Sequence, residues 1–340
     1  MGIFRIDPLM LKLIITVLLA SFLPARGYFV DFFAWMTTIA IALLFFMHGA
    51  KLSREKIIAG GGHWRLHLWV MFSTFVLFPA LGMLLVWWHP LNLSVEIYTG
   101  FMYLTILPAT VQSSIALTSL AGGNVAAAVC SASASSLLGV FISPLLVGLL
   151  MNVHTDAVGG SLEQMGKIML QLLVPFLLGN LSRRWIAGWV ERNRGLIGKT
   201  DQTSILLVVY SAFSEAVVNG IWHRVGVMTL VWIGVGSLGL LFVVLAINLA
   251  AARLFRFNRE DEITILFCGS KKSLANGVPM ANILFPSAAV GIIVLPLMIF
   301  HQIQLMVCSM LAQRYKRAGE KLAAQKKADE QKPAVMESQK

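Results

Sequence analysis

Apolar runs recur along most of the chain, near residues 8–24, 30–50, 66–88, 97–119, 124–152, 166–182, 201–220, 226–251, 261–284 and 286–313. A run of about 20 apolar residues is long enough to cross a bilayer core as a helix. The pattern predicts an all-α membrane protein with ten transmembrane helices. The first run has the length of a signal sequence, but Ser21 to Arg26 is a poor cleavage site and more runs follow, so it reads as the first membrane helix. Two runs, the fourth and the ninth, are interrupted by polar and helix-breaking residues. The fourth carries Pro108, Thr110, Gln112, Ser113 and Ser114; the ninth carries Gly269, Ser270, Lys271, Lys272, Ser273, Asn276, Gly277 and Pro279. Proline removes a backbone donor and clashes with the preceding turn, and glycine loosens what remains. A broken helix survives in a bilayer only inside protein or beside a wet cavity.

The interruptions occupy matching places when the chain is divided into residues 1–155 and 156–313, each with five segments. Five is odd, so the halves face opposite ways. That is an inverted repeat, in which paired broken helices mark a transporter's midplane site. Residues 314–340 are polar and charged, and fraying or disorder is expected there.

Composition agrees with a membrane protein. Of 340 residues 57% are hydrophobic and 13% charged, against about 25% charged in soluble domains, and the mean hydropathy is +0.77. The basic residues set an orientation. The even-numbered connections hold Lys51, Arg54, Lys56, Arg65, Arg183, Arg184, Arg192, Arg194, Lys199, Arg253, Arg256 and Arg259, whereas the odd-numbered ones hold Arg26, Lys167 and Arg224. Both termini are then cytoplasmic. The net charge of +11 reflects this orientation, and basic residues confined to short loops beside spans argue against a nucleic-acid partner. In the sixth connection Trp185, Ile186, Trp189 and Val190 recur at helical spacing between arginines. They form either an interfacial amphipathic helix or an ordinary connecting loop. Cys130, Cys268 and Cys308 fall in apolar segments and read as small buried packing residues, with no metal or disulfide spacing.

The Lys271–Lys272 pair carries the sharpest chemistry. A lysine at mid-bilayer costs about 2.5–3.5 kcal/mol on insertion scales. Adjacent helical residues point roughly 100° apart, so one lysine can face the crossing of the broken helices and the other the substrate cavity. The alternative is that the ninth segment starts later and both lysines snorkel to the cytoplasmic surface. Thr110, Gln112, Ser113 and Ser114 offer hydroxyls and an amide for cation or substrate contacts, or bond back to their own helix. The small residues of the fifth segment suit close helix packing, and Asn124, Ser131 and Ser133 there are further lining candidates. Ser270, Ser273 and Asn276 flank the lysines. His301, Gln302 and Gln304 sit inside the tenth segment, as packed polar residues or as cavity lining. Glu215 is the carboxylate within a segment and a candidate proton carrier, unless it lies near enough to the outer surface to be solvated. Signatures of zinc proteases, serine hydrolases and phosphate-cradling loops are missing, so no enzyme is expected.

Several stretches carry a resemblance: Ala40 to Ser53, Gly123-Asn-Val125, Ser143-Pro-Leu-Leu146 and Phe300-His-Gln302, besides the two broken segments. Over residues 8–313 the chain resembles the bile acid:sodium symporter family. The resemblance implies a panel (segments 1, 2, 6, 7) and a core (segments 3–5 and 8–10), with segments 4 and 9 unwound and crossed. It implies residence in a bacterial inner membrane and uptake of an organic anion by alternating access. The family's sodium ligands fall on Ser114 and Ile115, near Ala128 and Ala132, near Phe267 and near Lys271–Lys272. Of these Ser114 alone is a weak sodium ligand, and Lys271 is expected where relatives bind sodium. No cofactor is implied; Na+ or H+ is the possible coupling ion. The partners expected are a small organic anion and the lipid bilayer, with no obligate protein partner. The expected function is a secondary active transporter, with sodium coupling opposed by Lys271 and Lys272 in the cation-site region; the alternative is a non-transporting membrane regulator or sensor that keeps the fold.

Overall fold

The computed structural model describes residues 8–51, 62–91, 93–151 and 162–337. Arg54, Lys56 and the division of the chain within residues 152–161 lie outside the described residues, as do residues 1–7 and 338–340. Every described element is helical. The elements are α1 (Pro8–Phe22), α2 (Tyr28–Lys51), α3 (Trp64–Trp88), α4 (Val95–Ile106), α5 (Gln112–Ala121), α6 (Val125–Met151), α7 (Leu162–Arg192), α8 (Arg194–Val218), α9 (Ile221–Arg224), α10 (Val227–Leu254), α11 (Arg259–Gly269), α12 (Leu274–Leu284) and α13 (Ser287–Glu337). Among the described residues five helices have the length and apolarity to cross a membrane: α2, α3, α6, α10 and the Ser287–Lys321 part of α13. Their outward faces carry exposed apolar side chains such as Leu68, Leu149 and Phe242. Water would disfavour so large an apolar surface; lipid does not.

Side-chain caps and turns start and stop these helices. Asn124, Asn258 and Ser273 cap α6, α11 and α12 by accepting from the backbone N–H of Ala127, Asp261 and Asn276. At the end of α5, Gly122 takes φ +77°, and the Gly123 N–H returns to the Thr118 carbonyl at 2.8 Å. The fourth and ninth apolar runs are each split in two, α4 from α5 over 107–111 and α11 from α12 over 270–273. The tenth run continues as helix to Glu337, through residues whose polarity gives an expectation of fraying.

The stretch from Leu181 to Arg192 is helix and not a connecting loop. It continues α7. Val190 is buried there with Met47, Ala50 and Ile197, so packing on the end of α2 and the start of α8 decides its course, while Trp185 stays exposed. The helices fall into two packed sets. In one, α2 lies along α7 and α8, and α1 lies along α8. A Cβ on Gly49 would overlap the Phe176 carbonyl, and one on Gly179 the Phe46 carbonyl, so α2 and α7 meet backbone to backbone. In the other set α3, α4, α5, α6, α10, α11, α12 and α13 pack together, and α8 touches α12 and α13 across the boundary.

Candidate functional site

Proline at position 79 shapes the first component of the site. It has no N–H, and the preceding turn of α3 widens over Ser73–Leu77, so that the Phe78 N–H bonds back to the Ser73 carbonyl. The Thr74 carbonyl is thereby deprived of its usual donor. Pro108 does the same at the end of α4, where Leu107 is extended (φ −72°, ψ 156°). A buried carbonyl needs another partner, and the four carbonyls from Thr105 to Pro108 each have a named donor. Ile106 O accepts from Ser143 Oγ at 2.7 Å, and Pro108 O from the Ser273 N–H at 2.9 Å. The Ala109 N–H donates to Ser135 Oγ at 3.0 Å. Thr105 O and Leu107 O each accept from the Lys272 ammonium at 2.7 Å, and Thr74 O accepts from it at 2.8 Å. The ammonium also stands 4.2 Å from the centre of the Phe78 ring.

The second break is held as tightly. Gly269 O accepts from Ser73 Oγ at 2.9 Å, and Phe267 O from Ser114 Oγ at 3.1 Å. Gln304 grips the Lys272 peptide on both sides, its Oε1 accepting from the N–H at 2.8 Å and its Nε2 donating to the carbonyl at 2.9 Å. The break of one helix pair therefore bonds to the break of the other, with Lys272 filling the junction. Lys271 and Lys272 are 1% and 0% exposed, so neither reaches a surface. Lys271 Nζ stands 3.4 Å from Ser113 Oγ and 5.9 Å above the Phe267 ring. Among the described residues neither ammonium has a carboxylate partner.

A cavity of about 670 Å³ opens beside this junction. Thr110, Gln112, Ser113, Ser133, Ser273, Asn276 and His301 line one side, together with apolar residues such as Val140 and Leu305. Thr110 Oγ1 lies 2.8 Å from Ser113 Oγ, and Asn276 Nδ2 donates to Ser136 Oγ at 3.1 Å. The facing wall comes from α1, α2, α7 and α8 and includes His48, Lys51, Asp201 and Gln202. Lys51 and Asp201 form an ion pair on this wall. The N-termini of α5 and α12 both lie at the cavity, and helix N-termini favour negative charge.

The other sequence-predicted residues stand elsewhere. Lys271 lies behind Ser113 rather than on the cavity wall, because the turn that aims Lys272 at the crossing turns its neighbour away. Ser114 is buried and also contacts Thr110 Oγ1 at 3.1 Å. Ser131 turns toward α3 and lies 2.6 Å from His67 Nδ1. Asn124 is a cap whose Nδ2 donates to Asp261 Oδ1 at 2.9 Å, and Ser270 donates to Leu266 O at 2.6 Å. Gln302 points away from the junction, with a buried Oε1 that has no hydrogen-bond partner among the described residues; the junction glutamine is Gln304. Glu215 is half-buried near the far end of α8 and is not on the cavity wall. Sequence reasoning missed Ser73, which nothing in its segment singles out, Ser135 and Ser136, which read as packing residues, and Ser143, which carries only the family resemblance. It also missed Lys51, which reads as loop charge, and Asp201, which the sequence does not single out.

Comparison with known proteins places these features in a family. Residues 7–317 match the SBF-like CPA transporter family. The chain is 71% identical over 333 residues to the Escherichia coli (strain K12) protein named "Putative symporter YfeH", covering 98% of this chain and 100% of that one. It is 57% identical over 321 residues to "Uncharacterized protein PA2026" of Pseudomonas aeruginosa, covering 94% and 96%. It is 29% identical over 280 residues to mouse "Sodium/bile acid cotransporter 7", covering 80% and 81%. The chain belongs to the SBF-like CPA transporter family, as its resemblance to bile acid:sodium symporters implies.

Proposed function

We propose that this chain is a secondary active transporter that carries a small organic anion across the bacterial inner membrane by alternating access, without sodium. The observation that carries the reading is the junction of two broken helices beside a cavity whose charge balance favours anions. Two helix N-termini and Lys51 lie at that cavity, Lys271 and Lys272 stand behind it, and Asp201 is its lining carboxylate.

Ten spans in two inverted five-helix repeats account for the packing. The spans are α1, α2, α3, α4 with α5, α6, α7, α8, α10, α11 with α12, and α13. The halves of the fourth span have 12 and 10 residues, about 33 Å of helix together at 1.5 Å per residue, enough for a bilayer core of about 30 Å. Exchanging the first five spans with the second five maps the contact of α1 with α8 onto that of α7 with α2. It likewise maps α3 with α6 onto α10 with α13. The set α1, α2, α7 and α8 is the panel, and the remainder is the core. With the basic helix ends inside, exposed Trp64 and Trp185 mark one interface and Trp87, Trp88 and Tyr28 the other.

The cation site of the family does not fit these residues. By the resemblance its ligands fall on Ser114, Ile115, Ala128, Ala132 and Phe267, and three of those side chains are aliphatic. Ser114 is engaged with Phe267 O, and Lys271 and Lys272 hold fixed charge close by. Like charges 4 Å apart repel by about 4 kcal/mol at an effective dielectric near 20. Lys272 acts as a tethered cation, doing for three carbonyls what a bound metal ion would otherwise do.

Uptake of labelled organic anions into proteoliposomes, with pH and sodium gradients imposed separately, tests the function. Uptake that needs no sodium is expected; sodium-driven uptake abolished by Ser114→Ala, or transport of a cationic amine, overturns the reading. A second reading, a regulator that moves no solute, is favoured by how completely the junction is satisfied. It predicts no uptake of any anion despite ligand binding.

A further inference from the structure

The Lys51–Asp201 pair takes no part in joining the broken helices. Lys51 ends α2 and Asp201 lies near the start of α8, so both belong to the panel wall and face the cavity. Lys51 Nζ donates to Asp201 Oδ2, and the two side chains remain 31% and 14% exposed. Asp201 Oδ1 differs: it is buried and has no hydrogen-bond partner among the described residues. A buried carboxylate oxygen left idle is an unstable arrangement unless a donor arrives, either a ligand group or a proton.

The other charged or titratable groups near Asp201 come from several elements. From α2 there is His48, and from α1 Lys12, which donates to the adjoining Gln202 Oε1 at 2.9 Å. His301 of α13 lines the opposite side, and α7 presents Phe176. Among the described residues no second carboxylate lines this cavity. Glu215, the other acidic residue of α8, stands 14 residues further along, roughly 21 Å of helix away.

We infer that Lys51 and Asp201 form an exchangeable pair that binds one anion together with one proton. The anionic group of the ligand takes the Lys51 ammonium. Asp201, released from its cation, accepts a proton on a carboxylate oxygen and becomes a neutral carboxyl. The charges balance in both states. The empty wall holds one ammonium and one carboxylate; the loaded wall holds one ammonium, one ligand anion and one carboxyl group. Release of the ligand returns Lys51 to Asp201 and expels the proton. The ligand is a monoanion, since one ammonium is freed. It has an apolar body, since Leu9, Leu137, Val140, Ile205 and Leu305 share the cavity. This rests on the anion-transport reading and gives it a coupling ion.

Calorimetry on the purified full chain tests the exchange, with cholate and benzoate as a large and a small carboxylate probe. Each titration is run in two buffers of different protonation enthalpy, so that protons taken up are counted directly. The wild type should take up about one proton per probe bound, with affinity falling about tenfold per unit rise in pH. Asp201→Asn should bind the probes with no proton uptake and no pH dependence. Lys51→Gln should weaken binding at least about tenfold, and Lys51→Arg, which keeps the charge if the glutamine variant fails to fold, should retain the uptake. Binding without proton uptake in the wild type, or unchanged uptake in Asp201→Asn, overturns the exchange and leaves the anion reading standing. Failure of both probes to bind at any pH overturns both.

Discussion

Replacing Lys272 by methionine isolates the tethered cation from its bulk. The substitution keeps the length and apolar stem of the side chain but removes the three donors that reach Thr74 O, Thr105 O and Leu107 O. A buried acceptor left without its partner costs about 1–3 kcal/mol, so three cost roughly 3–9 kcal/mol. Against this, methionine spares the burial of a charge, which offsets several kcal/mol. The balance is a loss of about 3 kcal/mol, because the backbone donors that could take the lysine's place are engaged or absent: the Phe78 N–H bonds to Ser73 O, residue 79 is proline, and the Ala109 N–H donates to Ser135 Oγ. At about 2 °C per kcal/mol for a chain longer than 150 residues, the unfolding midpoint should fall by roughly 6 °C at fixed scan rate. Truncation to alanine should be rescued in part by propylammonium, which restores the missing atoms, and by Na+, which suits a ring of carbonyls. The wild type should show the same midpoint in Na+, K+ and choline. A methionine variant as stable as the wild type, or a wild type stabilised by Na+ over K+, refutes the tethered-cation argument.

Other expectations follow from neighbouring contacts. Gln304→Leu should cost about 2–4 kcal/mol in thermal unfolding by stripping both partners from the Lys272 peptide, whereas Gln302→Leu should be neutral or stabilising because its Oε1 has no partner to lose. Ser114→Ala should cost about 1 kcal/mol by freeing Phe267 O and should leave the response to sodium unchanged. Gly179→Leu should force α2 from α7 and abolish the folded species on size-exclusion chromatography. Glu215→Gln should leave the proton count of probe binding intact, since that carboxyl stands outside the cavity.

The breaks were legible because Pro108 and the Gly269–Ser270 step interrupt otherwise apolar runs, and the all-helical class because the runs are long. The partners across the breaks were harder to read. His301 and Gln304 are three residues apart and share one helix face, and they contact each other at 2.9 Å; that spacing could have set Gln304 above Gln302, which lies about 100° away. Ser135 looks like a packing residue in a small-residue stripe, and Ser143 stands out only by the family resemblance; the register of α6 against the break makes the first an acceptor and the second a donor. Lys51 and Asp201 are the clearest loss. Each sits at a helix end and adds to a loop's charge, and sequence does not show that α2 and α8 fold those ends over a cavity. Val190 was misplaced for the same reason, its burial coming from contacts far away in sequence.

The two kinds of polar contact divide the labour between the two helix sets. The groups freed from Thr105 to Ala109 are answered by Lys272, Ser143, Ser273 and Ser135, all within the core set. A ligand shifts a conformational equilibrium only by as much as it interacts differently with the two states. A cation bonded covalently to the chain is present in every state, so the crossing offers an exchangeable ion no such difference. The proposed Lys51–Asp201 exchange does offer one, because its ammonium has a rival partner in a bound anion and Asp201 Oδ1 has no hydrogen-bond partner among the described residues. On the proposed transport reading, coupling therefore belongs on the wall formed by α1, α2, α7 and α8. On the same reading the crossing is the fixed part of the molecule, and α8 meets it through α12 and α13.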